Sequence, residues 1–221
     1  MKRYFIFVLL LLVCLASAQG LELFQSYSSG YYGDVAGALG FGIRDLTQSF
    51  PIGMRLLASV AYQFDSGDAT TARKIFINDN EGGTVEKWGT NHLLALDLTY
   101  RVAGSKDLLL YGFAGPRVSF YSAHFGFIGN NEVFAVRSNA FGAGGGLQVM
   151  LRTGPRLMAM LSGGADYYFP ARLYAHGTFY YTPDGVDQVP RNAYTYADAD
   201  AAVNQPRLVP VVTLGFEYQL K

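Results

Sequence analysis

In the run "VVTLGFEYQLK" (residues 211–221) every second residue is apolar. Val212, Leu214, Phe216, Tyr218 and Leu220 fall on one side of an extended chain, and Thr213, Gly215, Glu217 and Gln219 fall on the other. A period of two belongs to a strand with one apolar and one polar face. Two architectures can use such strands throughout. A soluble sandwich or lipocalin-like barrel turns the apolar face inward, and a membrane barrel turns it out to lipid.

The pattern recurs in "DVAGALGFGIRD" (34–45), "IGMRLLASVAYQFD" (52–65), "TNHLLALDLTYRV" (90–102), "AFGAGGGLQVMLR" (140–152) and "RLMAMLSGGADYYF" (156–169). The non-apolar faces decide between the architectures. They hold Gly, Ala, Ser and Thr, together with Arg55, Asp97, Arg101, Asp166 and Glu217. Strand faces turned to water favour larger polar residues, whereas a narrow barrel needs small residues and a few pairable charges to fill its interior. Charges buried there must pair, because an isolated one is costly. The reading is therefore that Phe216 points to lipid. Glu217 points inward, as do Arg55, Asp97, Arg101 and Asp166. The segment 108–121 is extended too, but its alternation breaks near Gly115-Pro116, where a bulge or kink is expected.

Connections alternate in length. Those at 46–51, 104–107 and 152–156 are short; those at 67–87 and about 182–207 are long, with a shorter loop at 129–132. Periplasmic turns and extracellular loops alternate in this way. If the last strand ends in the periplasm, a rising strand must precede residue 34, and "LELFQSYSS" (21–29) supplies it. The predicted fold is all-β: a closed antiparallel transmembrane β-barrel of about eight strands in an up-and-down meander. Tyr62, Phe64, Tyr167 and Phe169 then mark the outer interface, and Tyr100, Phe216 and Tyr218 the periplasmic one, as aromatic girdles do.

Composition agrees. Charged residues make up 15% and aromatics 15% of the chain, with 26 Gly, whereas soluble domains carry about a quarter charged residues. Seventeen basic and seventeen acidic residues cancel, so no global field favours nucleic acid. The opening "MKRYFIFVLLLLVCLASAQG" has the layout of a signal peptide: Lys2 and Arg3, an apolar stretch, then Ala16-Ser17-Ala18. Cleavage after Ala18 makes 1–18 the signal and 19–221 a single barrel domain. Cys14 is preceded by Leu12 and Val13 rather than by the small residue of a lipid-attachment box, and the mature chain has no cysteine.

On the signal peptide, strand alternation and turn asymmetry, the chain from about residue 20 to 221 resembles the small bacterial outer-membrane barrels of the OmpA/OmpX-like kind. It departs from them at the end, where Leu220-Lys221 follow the in-phase Phe216 and Tyr218 in place of a final aromatic. The resemblance implies an outer-membrane location. It also implies, as partners, outer-membrane lipids, lipopolysaccharide and the outer-membrane assembly machinery.

Chemistry is sparsely signalled. A lipid-modifying barrel would need a Ser, a His and a carboxylate converging, and Ser122 and His124 share a face with Glu132 a short loop away. The surrounding motif is absent, so no catalytic residue is assigned and the chain is read as a non-enzyme. "NDNEGG" (78–83) lacks calcium-loop spacing, "DADA" (198–201) reads as a solvated loop, and glycines 144–146 precede no helix and read as close packing. No cofactor or metal is expected. The function expected is a structural or surface-interaction role, with loops 67–87 and 182–207 contacting lipopolysaccharide or an external partner. A narrow porin-like channel and an outer-membrane lipid-modifying enzyme are the alternatives.

Overall fold

The computed structural model describes residues 21–29 (backbone), 34–44, 51–175 and 179–220. The signal segment 1–18 and most of the turn at 46–51 lie outside these residues. Eight long strands dominate: β1 (Leu21–Ser29), β2 (Val35–Ile43), β3 (Ile52–Gln63), β4 (Thr84–Gly104), β5 (Leu108–Ile128), β6 (Glu132–Arg152), β7 (Leu157–Tyr168) and β10 (Leu208–Gln219). Each pairs antiparallel with two others. The ladders run from β1 through β2, β3, β4, β5, β6 and β7 to β10, which pairs back to β1. Between β7 and β10 lies a short hairpin, β8 (Leu173–Ala175) and β9 (Phe179–Tyr181), whose first strand pairs with the upper part of β6. Among the described residues, two short helices, α1 (Ala69–Phe76) and α2 (Tyr196–Ala202), complete the fold.

The apolar faces point outward. Leu39, Phe41, Leu98, Phe141 and Leu214 are each 59–71% exposed, while Arg55, Asp97 and Glu217 are 0–5% exposed. This is the reverse of a soluble sheet, in which burial follows hydrophobicity.

Strands β4, β5 and β6 are 21 residues long, about twice what a tilted strand needs to cross a bilayer. Their upper halves change character. On β5 the outward residues are apolar up to Phe120 and become Ser122, His124 and Gly126, while the inward residues change from Arg117 and Ser119 to Tyr121, Ala123, Phe125 and Phe127. On β6 the same inversion falls between Ala140 and Phe141. The two levels nearly coincide, since Phe120 pairs with Asn139. The strand continues unbroken; its surroundings invert. Below this line the outside is apolar and the inside polar, and above it the order is that of a soluble sheet.

The expected bulge at Gly115-Pro116 is absent. The ladder from β5 to β4 omits the pairs at these two residues but keeps its register, and the ladder to β6 is continuous. Proline removes one donor without requiring an extra residue. The register shift lies instead between Arg101 and Ala103.

The connections expected to be open loops fold into a cap. Helix α1 starts at Asp68, whose carboxylate accepts from the N–H groups of Thr70 and Thr71, the usual way to satisfy a helix start. The "DADA" run is helical rather than a solvated loop: Thr195 and Asp198 close a capping box at the start of α2. Ala72, Ile75, Phe76, Ala199 and Ala202 pack with Phe125, Phe134, Val136, Leu173 and Tyr181 in one buried cluster. Gly67 and Val203 form a bridge that ties the two capping segments together. Gly67 has φ +124°, and a Cβ there would strike the Ala202 carbonyl, so this approach requires glycine.

Candidate functional site

Three layers fill the interior. At the lower end Tyr111, Met150 and Met158 form a small buried cluster. Arg44 pairs with Glu217 beside it, with its guanidinium carbon 5.8 Å from the Tyr111 ring centroid. At the upper end Ser119 donates to Asn91 at 2.7 Å, near buried Gln63 and Tyr168, and the cap lies above.

Between them runs a chain of charges. Arg55 and Asp97 are direct cross-strand partners on β3 and β4, and Arg55 Nη2 and Nε donate to Asp97 Oδ2 at 2.7 and 3.3 Å. Arg55 also donates to Gln148 of β6. Arg117 Nη1 donates to Asp97 Oδ1 at 2.6 Å, and its Nε donates to Asp166 Oδ1 at 2.8 Å. Two guanidiniums and two carboxylates from β3, β4, β5 and β7 thus neutralise each other, which is the condition for burying them. They bound a cavity of ≈ 120 Å³ whose remaining lining mixes small apolar residues such as Ala36, Ala38 and Ala61 with Ser59, Ser162 and Thr213.

Of the residues proposed from sequence to face the interior, Arg55, Asp97 and Glu217 are buried and Asp166 is half-buried within this network. Arg101 lies directly opposite Tyr111 of β5, on the same side of the sheet as that buried ring, and is exposed at the lower end of β4 beside the register shift. Sequence alternation does not reveal Arg117, because Gly115-Pro116 obscures the phase of its strand. The signal available was its odd position, two steps from Ser119 and four from Tyr121.

Ser122, His124 and Glu132 do not form a catalytic group. His124 stacks on Trp88 with ring centroids 3.9 Å apart. Glu132 instead accepts from Asn78 at 2.9 Å and pairs with Arg73 at 3.3 Å. Among the described residues, no group of three or more His, Cys, Asp or Glu could hold a metal ion.

No protein-family model matches the chain, and the comparison with curated proteins finds no match. Among solved structures, the chain is similar to a major outer membrane protein from Thermus thermophilus. Identity is 24%, the TM-score is 0.70, and the match covers 90% of this chain and 99% of that one. Ail, the attachment invasion locus protein of Yersinia pestis, matches at 12% identity over 91% and 97% of the two chains, with a TM-score of 0.46. CarO2 of Acinetobacter baumannii matches at 13% over 91% and 99%, with a TM-score of 0.43. The last two are too distant in shape to carry an argument. The first establishes that the chain has the fold of a small bacterial outer-membrane β-barrel protein.

Proposed function

We propose that the chain is an integral outer-membrane protein, a closed barrel of eight strands whose role is structural or surface-interacting. In this reading residues 1–18 are a cleaved signal, residues 19–221 form one domain, and the assembly machinery of the outer membrane inserts it. The observation that carries the reading is the inverted exposure of the strands. Residues 94–102 of β4 and 141–151 of β6 present unbroken apolar outer faces, each the 9–11 residues or so that a tilted transmembrane strand requires. Tyr62, Phe64, Tyr167 and Phe169 border the band above, and Tyr100 and Tyr218 border it below, as interfacial aromatics do. The folded cap, rather than loose loops, is the surface offered to lipopolysaccharide or to an external partner.

A non-enzymatic role is supported by the separate engagements of His124 and Glu132. Cell fractionation with heat-modifiable gel migration tests the reading. The mature protein is expected in the outer-membrane fraction, with unheated samples migrating differently from boiled ones. A chain that stays folded and monomeric in buffer without detergent would overturn it.

A further inference from the structure

We infer that the outward face of β6 and the β8–β9 hairpin, just above the apolar band, binds the anionic phosphate headgroup of an outer-leaflet lipid. The inference rests on the membrane-barrel reading and assigns one partner to one part of its wall. Phe141, 71% exposed, ends the apolar face of β6. The next outward residues are Asn139 and Arg137, both exposed. Arg137 lies opposite Tyr174 of β8, which lies opposite Tyr180 of β9. Asn139, Arg172, Tyr174 and Tyr180 line a groove of ≈ 400 Å³ at this level. The Arg172 guanidinium is held over the Tyr180 ring, 3.7 Å from its centroid, a contact that orients the cation without neutralising it.

Two further observations single out this part of the wall. Other cations of the upper part are committed: Lys87 to Asp65, Arg191 to Asp79 and Arg207 to Asp200. Among the described residues, neither Arg137 nor Arg172 meets a carboxylate. On the other flank of Arg137, Ser122 Oγ is buried and has no hydrogen-bond partner. A lipid whose acyl chains lie against Phe141 brings its phosphate to the height of these groups. Two planar guanidiniums with amide and hydroxyl donors match the geometry and charge of a phosphate.

Native mass spectrometry of the folded mature protein, in detergent with equal amounts of phosphatidylglycerol and phosphatidylcholine of the same chains, tests the assignment. Retention of the anionic lipid should exceed that of the zwitterionic one roughly tenfold, the scale of a single charge-assisted hydrogen bond. Arg137→Gln with Arg172→Gln should bring the ratio near parity, while Arg156→Gln, at the opposite end, should leave it unchanged. Should the double variant lose its heat-modifiable migration, Arg172→Gln alone replaces it and should lower the ratio. Parity in the unaltered protein, or a preference that survives loss of these arginines, overturns the site. Displacement of the lipid by inorganic phosphate also overturns it, because the face would then recognise the free anion. Failure of the barrel reading is separately visible as a chain that needs no detergent.

Discussion

Arg117 reaches Asp166 across an intervening strand, and glycine makes that reach possible. Arg117 on β5 pairs with Gly142 of β6, and Gly144 of β6 pairs with Asp166 of β7. With no side chain at Gly144, the guanidinium and the carboxylate meet over its backbone. A Cβ built there would land on the Asp166 carboxylate and on Arg117 Nε. Gly144 therefore serves the charge chain beside it, while Gly145 and Gly146 lie close against the backbones of Phe113 and Gly163, as the close-packing reading of the triplet expects. Asp97 joins the halves, accepting from both Arg55 and Arg117 while wholly buried. Asp97→Ala leaves two buried guanidiniums short of a counter-charge and should cost about 3–5 kcal/mol. Denaturant unfolding in detergent measures this, and a loss below about 1 kcal/mol would mean that the network adds little beyond filling space.

At the scale of elements, legibility followed environment. The strand at 208–219 and the lower parts of β3, β4, β6 and β7 could be read because one face stays apolar throughout. The upper parts of β5 and β6 could not, because their apolar face switches sides at residues 120–121 and 140–141. A switch of phase looks like an interruption when only one rule of burial is applied. Helices α1 and α2, of 8 and 7 residues, are too short for a helical period to emerge from sequence. Their starts are held by carboxylates that tie the cap to acidity. The Thr71 hydroxyl, then the N–H groups of Thr71 and Thr70, outweigh desolvation and hold Asp68 below its ordinary pKa. The Thr195 backbone N–H and then its hydroxyl do the same for Asp198, and the Arg191 guanidinium does so for Asp79. A carboxylate depressed on folding contributes stability that is complete above its unfolded pKa and is lost as pH falls through the folded value. The cap should therefore loosen below about pH 4. Amide hydrogen exchange should show residues 69–76 and 196–202 losing protection near pH 3 after correction for intrinsic rates, ahead of the strands. Equal or greater protection of these helices in acid would refute this.

For the whole molecule, the question is whether the interior is a path or a plug. A closed ring of eight strands, as proposed above, encloses a space that its own side chains nearly fill, and here they do so at three heights. Tyr111, Met150 and Met158 close the lower end beside the Arg44–Glu217 pair. The Arg55–Asp97–Arg117–Asp166 chain crosses the middle. The cap closes the top, with Tyr181 donating to the Ile75 carbonyl at 3.2 Å and accepting from the Arg191 N–H at 2.9 Å, so that β9, α1 and the following loop hold one another. The ≈ 120 Å³ cavity left between these layers has room for a few waters. Conduction would require all three layers to part together, and the middle one resists because each charge that leaves its partner is stranded in a poorly solvated interior. Reconstituted in a planar bilayer, the mature protein should therefore give no sustained step conductance. Replacing Arg55, Asp97 and Arg117 together by Ala should not open it, because the lower and upper layers remain. Steady openings in the unaltered protein would show that the layers separate spontaneously, and the channel alternative would then replace the surface role.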